Sequence, residues 1–183
     1  MALPDRKRNR MLGYDYSREG LYFVTSCVQG RACVFGHVAE EEMVLNKYGQ
    51  IATQQWHWLA AQYPYLVLHA FVVMPNHVHG IIEIDQNLVV RTGRDLSAQL
   101  PVDETGTEKE SSRTKVKSIS ELMGAYKATT SKQIRLAGLA DFAWQRSFHD
   151  HIIRHERAYR HIEQYIQNNP ALWKDDVFHH PLS

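Results

Sequence analysis

The stretch AFVVMPNHVHGIIEI, residues 70–84, decides the architecture. Apolar and β-branched residues flank Pro75-Asn76, a pair suited to a tight turn, so the segments around it read as two strands, 66–74 and 77–84, folded into a hairpin. Within the second strand stand His77 and His79. Residues i and i+2 of a strand point to the same face, roughly 6.6–6.8 Å apart along the chain. Beside Val72, Val73, Ile81, Ile82 and Ile84, these rings lose hydration if buried and need a polar partner. One divalent ion or one phosphate could serve both. Two separately satisfied core histidines are the alternative that the pair alone leaves open.

Outward from this hairpin, residues 21–28 are β-rich and apolar on both faces, as in a strand within a sheet. From about residue 40 to 62 the pattern is helical, with Val44, Tyr48, Ile51, Ala52, Trp56 and Leu59 on one stripe and Glu40 to Glu42 suiting its N-terminal end. Pro64 follows the helix. On the other side, residues 86–118 are polar and read as a solvated linker or mobile functional loop. Ser118 or Ser120 caps the next helix, whose stripe is Ile119, Leu122, Met123, Tyr126, Thr130 and Ile134 and which Gly138 closes. A short strand at 148–153 and a helix at 156–168, stopped by Pro170, complete the order. Strand, helix, strand, strand, helix, strand and a terminal helix imply an α+β, ferredoxin-like sandwich. Its antiparallel sheet would have four to five strands and helices mainly on one face.

The 183 residues, 44% hydrophobic and 22% charged, suit one soluble domain. The expected division is a flexible basic arm at 1–18, a single domain at 19–175 carrying the insert, and a tail at 176–183. No apolar run approaches the roughly 20 residues of a membrane helix, and no secretory signal is evident. Cys27 and Cys33 match no metal or redox spacing and read as reduced, packed thiols, which points to the cytoplasm. A net charge of +1 does not announce a nucleic-acid binder. Arg6, Lys7, Arg8 and Arg10, and Arg113, Lys115 and Lys117, form local basic runs that could meet nucleic acid but read first as solvated, mobile charge.

Two neutral imidazoles leave open metal positions for oxygen ligands. The last helix offers Tyr165 and Asn169, four residues apart and so on one face. A phenol is a poor nucleophile at neutral pH because its ordinary pKa is about 10, but a nearby cation and base change that. Two histidines, an amide and a tyrosine together make a coherent site for phosphodiester transesterification.

Pro75-Asn76-His77-Val78-His79 resembles the His-hydrophobe-His motif of the IS200-like single-tyrosine transposases. Residues 144–154 (WQRSFHDHIIR) and 159–170 (YRHIEQYIQNNP) are similar to stretches of the REP-associated tyrosine transposase branch. With Leu21 to Thr25, the resemblance spans roughly residues 14–173 apart from the polar insert. It implies a ferredoxin-like nuclease fold, single-stranded DNA with REP-like hairpins as the partner, Mg²⁺ or Mn²⁺, and a covalent 5′-phosphotyrosine intermediate. His77 and His79 take the paired metal-ligand positions and Tyr165 that of the nucleophile. Asn169 stands where IS200-like relatives place a glutamine ligand. IS200-like relatives act as dimers and the REP-associated branch as monomers, so a homodimer stays open.

Tyr159 competes with Tyr165 but lies six positions earlier, on a different face. His151 and His161 are candidates for active-site support. Lys127, Lys132, Arg135, Arg146 and Arg154 could contact DNA phosphates or be ordinary surface charge. Trp56, Trp58, Trp144 and Trp173 read as core and lid residues rather than base-stacking platforms. Two rival functions stand beside the transposase-like reading: a non-catalytic DNA hairpin-binding protein, and a metal-dependent phosphohydrolase. Structural zinc is disfavoured, since two cysteines make no closed four-ligand pattern.

Overall fold

In the computed structural model, residues 13–88 and 116–179 are described. The basic run at 6–10, Arg113, Lys115 and most of the polar insert lie outside them. Four antiparallel strands, β1 (Gly20–Cys27), β4 (Leu66–Val73), β5 (His77–Ile84) and β6 (His149–Ile153), form one sheet in the order β4-β5-β1-β6. With α1 (Lys47–Gln62) between β1 and β4, and α2 (Ile119–Leu136) between β5 and β6, this is the ferredoxin-like βαββαβ arrangement. Helix α3 (Glu156–Asn168) follows β6.

Period-2 alternation splits the sheet residues between two apolar layers. Tyr22, Val24, Val78, Ile82 and Ile84 pack with Trp56, Leu59, Leu122 and Tyr126 of α1 and α2. Ile81 and Ile153, with Leu21 and Phe23, pack with Ala158, Ile162, Tyr165 and Ile166 of α3. His77 and His79 alternate with Val78 and Gly80, and so share the α3-facing side with Ile81. Among the described residues, α1 and α2 thus cover one face of the sheet and the tyrosine-bearing α3 the other.

Local signals explain most element ends. Ser118, not Ser120, caps α2 in a reciprocal box: its side chain accepts from the N–H of Glu121, and Glu121 accepts from the N–H of Ser118 at 2.8 Å. The Pro75-Asn76 turn is closed by the N–H of Met74 donating to the carbonyl of His77 at 2.8 Å. The helix expected at 40–62 begins only at Lys47, because Asn46 accepts from the N–H groups of Tyr48 and Gly49. The preceding residues form a separate two-stranded hairpin, β2 (Gly36–Ala39) with β3 (Glu42–Leu45). Its turn holds Glu40 and Glu41 at φ 50° and 64°. Glu40 to Glu42 are therefore not in the first turn of the helix, and Val44, 46% exposed, leaves its stripe.

Tyr14 and Tyr16, within the segment read as a basic arm, pack on the larger core. Cys27 is buried as expected, and burial pushes its thiol up to about 11, whereas Cys33 is exposed. Trp56, Trp144 and Trp173 are buried. Among the described residues, no helix is long and apolar enough to cross a membrane.

Candidate active site

The hairpin delivers His77 and His79 to the α3-facing side, and their neighbours fix the rings. Asn76 Nδ2 donates to the carbonyls of Arg31 and Phe178 at 3.1 and 2.9 Å, which turns its Oδ1 toward His77 Nδ1 at 2.8 Å. An amide oxygen only accepts, so His77 Nδ1 carries the proton and its Nε2 is a bare lone pair. On the adjoining strand, Thr25 is paired with His79, and its hydroxyl lies 2.7 Å from His79 Nδ1. A hydroxyl both donates and accepts, so His79 can present either a proton or a lone pair at Nε2.

The two Nε2 atoms are 3.0 Å apart. Adjacent ligands of an octahedral ion with bonds of about 2.1 Å are separated by roughly 3.0 Å, so the pair fits a small divalent cation. Asn76 and Thr25, bound at Nδ1, hold the rings in the orientation that metal-binding imidazoles need. His77, His79 and Asp176 each offer a ligand atom, all within 4.8 Å of one another, and this group could hold a metal. Asn169, the residue expected as the oxygen ligand, is 1% exposed and donates from Nδ2 to Asp176 Oδ2 at 3.0 Å. Its Oδ1 is buried without a hydrogen-bond donor. A stranded amide oxygen on a side chain bound to the Asp176 carboxylate is a further fit to a hard cation. Asp176 falls in the segment read as a tail; the only sequence signal for it is an acidic pair, Asp175-Asp176, shortly beyond Asn169.

Tyr165 comes from α3, where it shares the apolar face with Ala158 and Ile162. Its hydroxyl lies 3.2 Å from His79 Nε2. Phe23 completes the wall, stacked on His79 at 5.4 Å between ring centroids and edge-on to Tyr165 at 6.3 Å. Burial raises the pKa of Tyr165, and the charge of Asp176 adds to this while the Asn169 amide opposes it. The resting side chain is therefore a neutral phenol. Tyr159 lies elsewhere: its hydroxyl donates to Glu163 at 3.0 Å and is 3.3 Å from His69, which in turn meets Glu83 at 2.8 Å.

Burial pushes His77 down to about 3, with the Arg31 cation adding to the effect. Burial also holds His79 well below the ordinary value, reinforced by His77 and opposed by Asp176. Both rings are neutral at neutral pH, the form that ligates metals. An unfolded chain protonates them near pH 6.5 and the folded one does not. In metal-free protein, stability is therefore intact above about pH 6.5 and falls as pH drops below it, by up to about 1.4 kcal/mol per pH unit for each ring, with the His77 contribution continuing down to about pH 3. Urea titrations in EDTA should show this slope reduced in His77→Asn; an unchanged slope contradicts the assignment.

The remaining expected residues are dispersed. His151 and His161 line a groove between β6 and α3 that shares Phe23 with the histidine site. The Lys127 ammonium is spent on the carbonyls of Gln145 and Arg146, and the Arg135 guanidinium on that of Phe142. These two bind the loop after α2 to the helix rather than projecting freely. Lys132, Arg146 and Arg154 are exposed.

No family model matches the chain. An uncharacterized protein of Haemophilus influenzae (strain Rd) is 36% identical over 174 residues, spanning 93% of this chain and 91% of that protein. Among solved structures, a REP-associated tyrosine transposase bound to a REP hairpin superposes with a TM-score of 0.53 at 20% identity, covering 88% of this chain and 73% of that one. The resemblance read from residues 75–79, 144–154 and 159–170 is thus met in the fold.

Proposed function

Since the chain belongs to one family with the Haemophilus influenzae protein and has the fold of a REP-associated tyrosine transposase, we propose that it is a transposase-like nuclease and strand transferase. Its substrate is single-stranded DNA, cut beside hairpins. The observation that carries this reading is the Tyr165 hydroxyl 3.2 Å from His79 Nε2, which is itself 3.0 Å from His77 Nε2. A nucleophile-bearing helix and a paired-imidazole strand meet at one point.

The phenol oxygen of Tyr165 attacks phosphorus, the bond to the 3′-oxygen breaks, and the phenol proton ends on the departing 3′-hydroxyl. The product is a 5′-phosphotyrosine, which conserves the energy of the ester bond, so reversal with a new 3′-hydroxyl rejoins DNA without a nucleotide triphosphate. Phe23 holds Tyr165 and His79 in register, and Thr25 and Asn76 orient the imidazoles. A divalent cation, Mg²⁺ or Mn²⁺, held by His77, His79 and Asp176 with Asn169 as a further oxygen donor, would polarise the phosphate and stabilise the leaving oxygen.

Loading the site with Mn²⁺ at about 100 times its Kd should stabilise the fold by about 2.7 kcal/mol, raising Tm by about 5–10 °C. His77→Ala should abolish that shift and Asp176→Ala should shrink it. A full shift in Asp176→Ala would transfer the oxygen-ligand role to Asn169.

His77 and His79 are 0% and 1% exposed, with the Phe178 ring 4.6 Å from that of His77. DNA therefore reaches them only after some of the side chains that cover the rings, Phe178, Trp173, Tyr165 and Phe23, move aside. This closure favours the second reading, a hairpin-binding protein without chemistry. One experiment separates the two. End-labelled hairpins with single-stranded flanks are incubated with protein in Mn²⁺ or EDTA and run on a denaturing gel. A metal-dependent nick with a covalent adduct supports the nuclease; tight binding without nick or adduct across a panel of hairpins leaves only the binder.

A further inference from the structure

Resting on the reading of Tyr165 as a DNA nucleophile, we propose that the groove between β6 and α3 is a nucleotide subsite. It would take the base and phosphate of the DNA residue next to the one attacked. The groove is shallow and open, with about 610 Å³ of space over its lining. Phe23 and Ile162 give it an apolar floor, and His151, His155, Arg157 and His161 its rim. Among the described residues, none that lines it is acidic. An apolar floor with a rim of cation and imidazole donors matches a flat base joined to a phosphate.

Two observations tie this groove to the strand under attack rather than to an unrelated ligand. Phe23 is shared: the same ring that floors the groove stacks on His79 and meets the edge of Tyr165. The helix also runs from one to the other. His161 precedes Tyr165 by four residues, about 6 Å along the axis and on the same side of α3. His155 has a fixed tautomer as well, since its Nδ1 accepts from the N–H of Ala158 at 3.1 Å. The proton of the neutral ring is then on Nε2, leaving a donor for a phosphate oxygen.

The test is equilibrium binding of a fluorescent hairpin with a single-stranded flank, read by anisotropy in EDTA so that no bond is cut. An abasic nucleotide is walked through the flank, and wild type is compared with the double variant Arg157→Ala/His161→Ala, both positions being exposed and their folding checked by circular dichroism. The variant should bind about tenfold more weakly. At one flank position the abasic lesion should weaken wild type by about tenfold and the variant hardly at all. Equal affinities, or a lesion effect of full size in the variant, overturn the subsite. Thymidine monophosphate should displace the strand only at far higher concentration than unlabelled DNA; equal potency assigns the groove to free nucleotides and overturns the strand reading.

Adduct formation in Mn²⁺ judges the underlying reading separately. Wild-type adduct with unaltered binding by the groove variant refutes the subsite alone. Loss of binding in the groove variant without any wild-type adduct refutes the nucleophile alone, and no DNA binding by wild type refutes both.

Discussion

Tyr165→Phe is expected to form no covalent protein–DNA adduct and to lose cleavage by on the order of 10⁴-fold or more. The substitution removes one oxygen and little else. The ring stays against Phe23 and His79, and the hydrogen bond lost is worth about 1 kcal/mol. Folding and metal binding should therefore survive, so that the loss reports chemistry. Tyr159→Phe is the matched control. Its hydroxyl serves His69 and Glu163, so the variant should lose a little stability and keep the adduct. If Tyr165→Phe still forms the adduct, the nucleophile is elsewhere.

Gly80→Ala is expected to be the most damaging single-methyl substitution in the strand that bears the histidines. A Cβ at Gly80 would stand 2.4 Å from Cζ2 and 2.6 Å from Cη2 of Trp56. Trp56 is fully buried, stacked on Phe71 at 4.4 Å between centroids and edge-on to Tyr126 at 5.5 Å. The indole cannot step aside, so β5 must move instead, and His79 moves with it. Overpacking of this kind costs about 2–3 kcal/mol, or roughly 5–10 °C in Tm for a chain of this size. Gly124→Ala provides the contrast: this glycine is inside α2, exposed, with nothing within 4 Å of a new Cβ. There the methyl should stabilise by about 0.5–1 kcal/mol. Calorimetry that ranks the two variants in the opposite order contradicts the packing argument.

Local sequence carries part of this arrangement. The alternation of His77, His79 and Ile81 with Val78, Gly80 and Ile82 is periodic, and periodicity is local, so strand, face and histidine pairing were legible. The same holds for α3, where Tyr165 and Asn169 share a face. The β2–β3 hairpin was hidden because tight hairpin turns favour Asn, Asp or Gly, whereas Glu40 and Glu41 occupy the left-handed region here. Their charges instead resemble the acidic start of a helix. Asp176 was hidden for another reason: its approach to His77 and His79 is a tertiary contact that no local pattern encodes. Lys127 and Arg135 show the same limit from the other side. A cation off the apolar stripe looks free for phosphate, but in the folded chain both head groups are bound to carbonyls after α2.

The central claim is that Tyr165 carries the DNA phosphate. Wild-type protein trapped with a hairpin substrate in Mn²⁺ can be digested with nuclease and protease, and the nucleotide-bearing peptide sequenced by mass spectrometry. A phosphonucleotide is expected on the Tyr165 oxygen, in the peptide spanning residues 161–174. A modification on Tyr159 or any other side chain would contradict it.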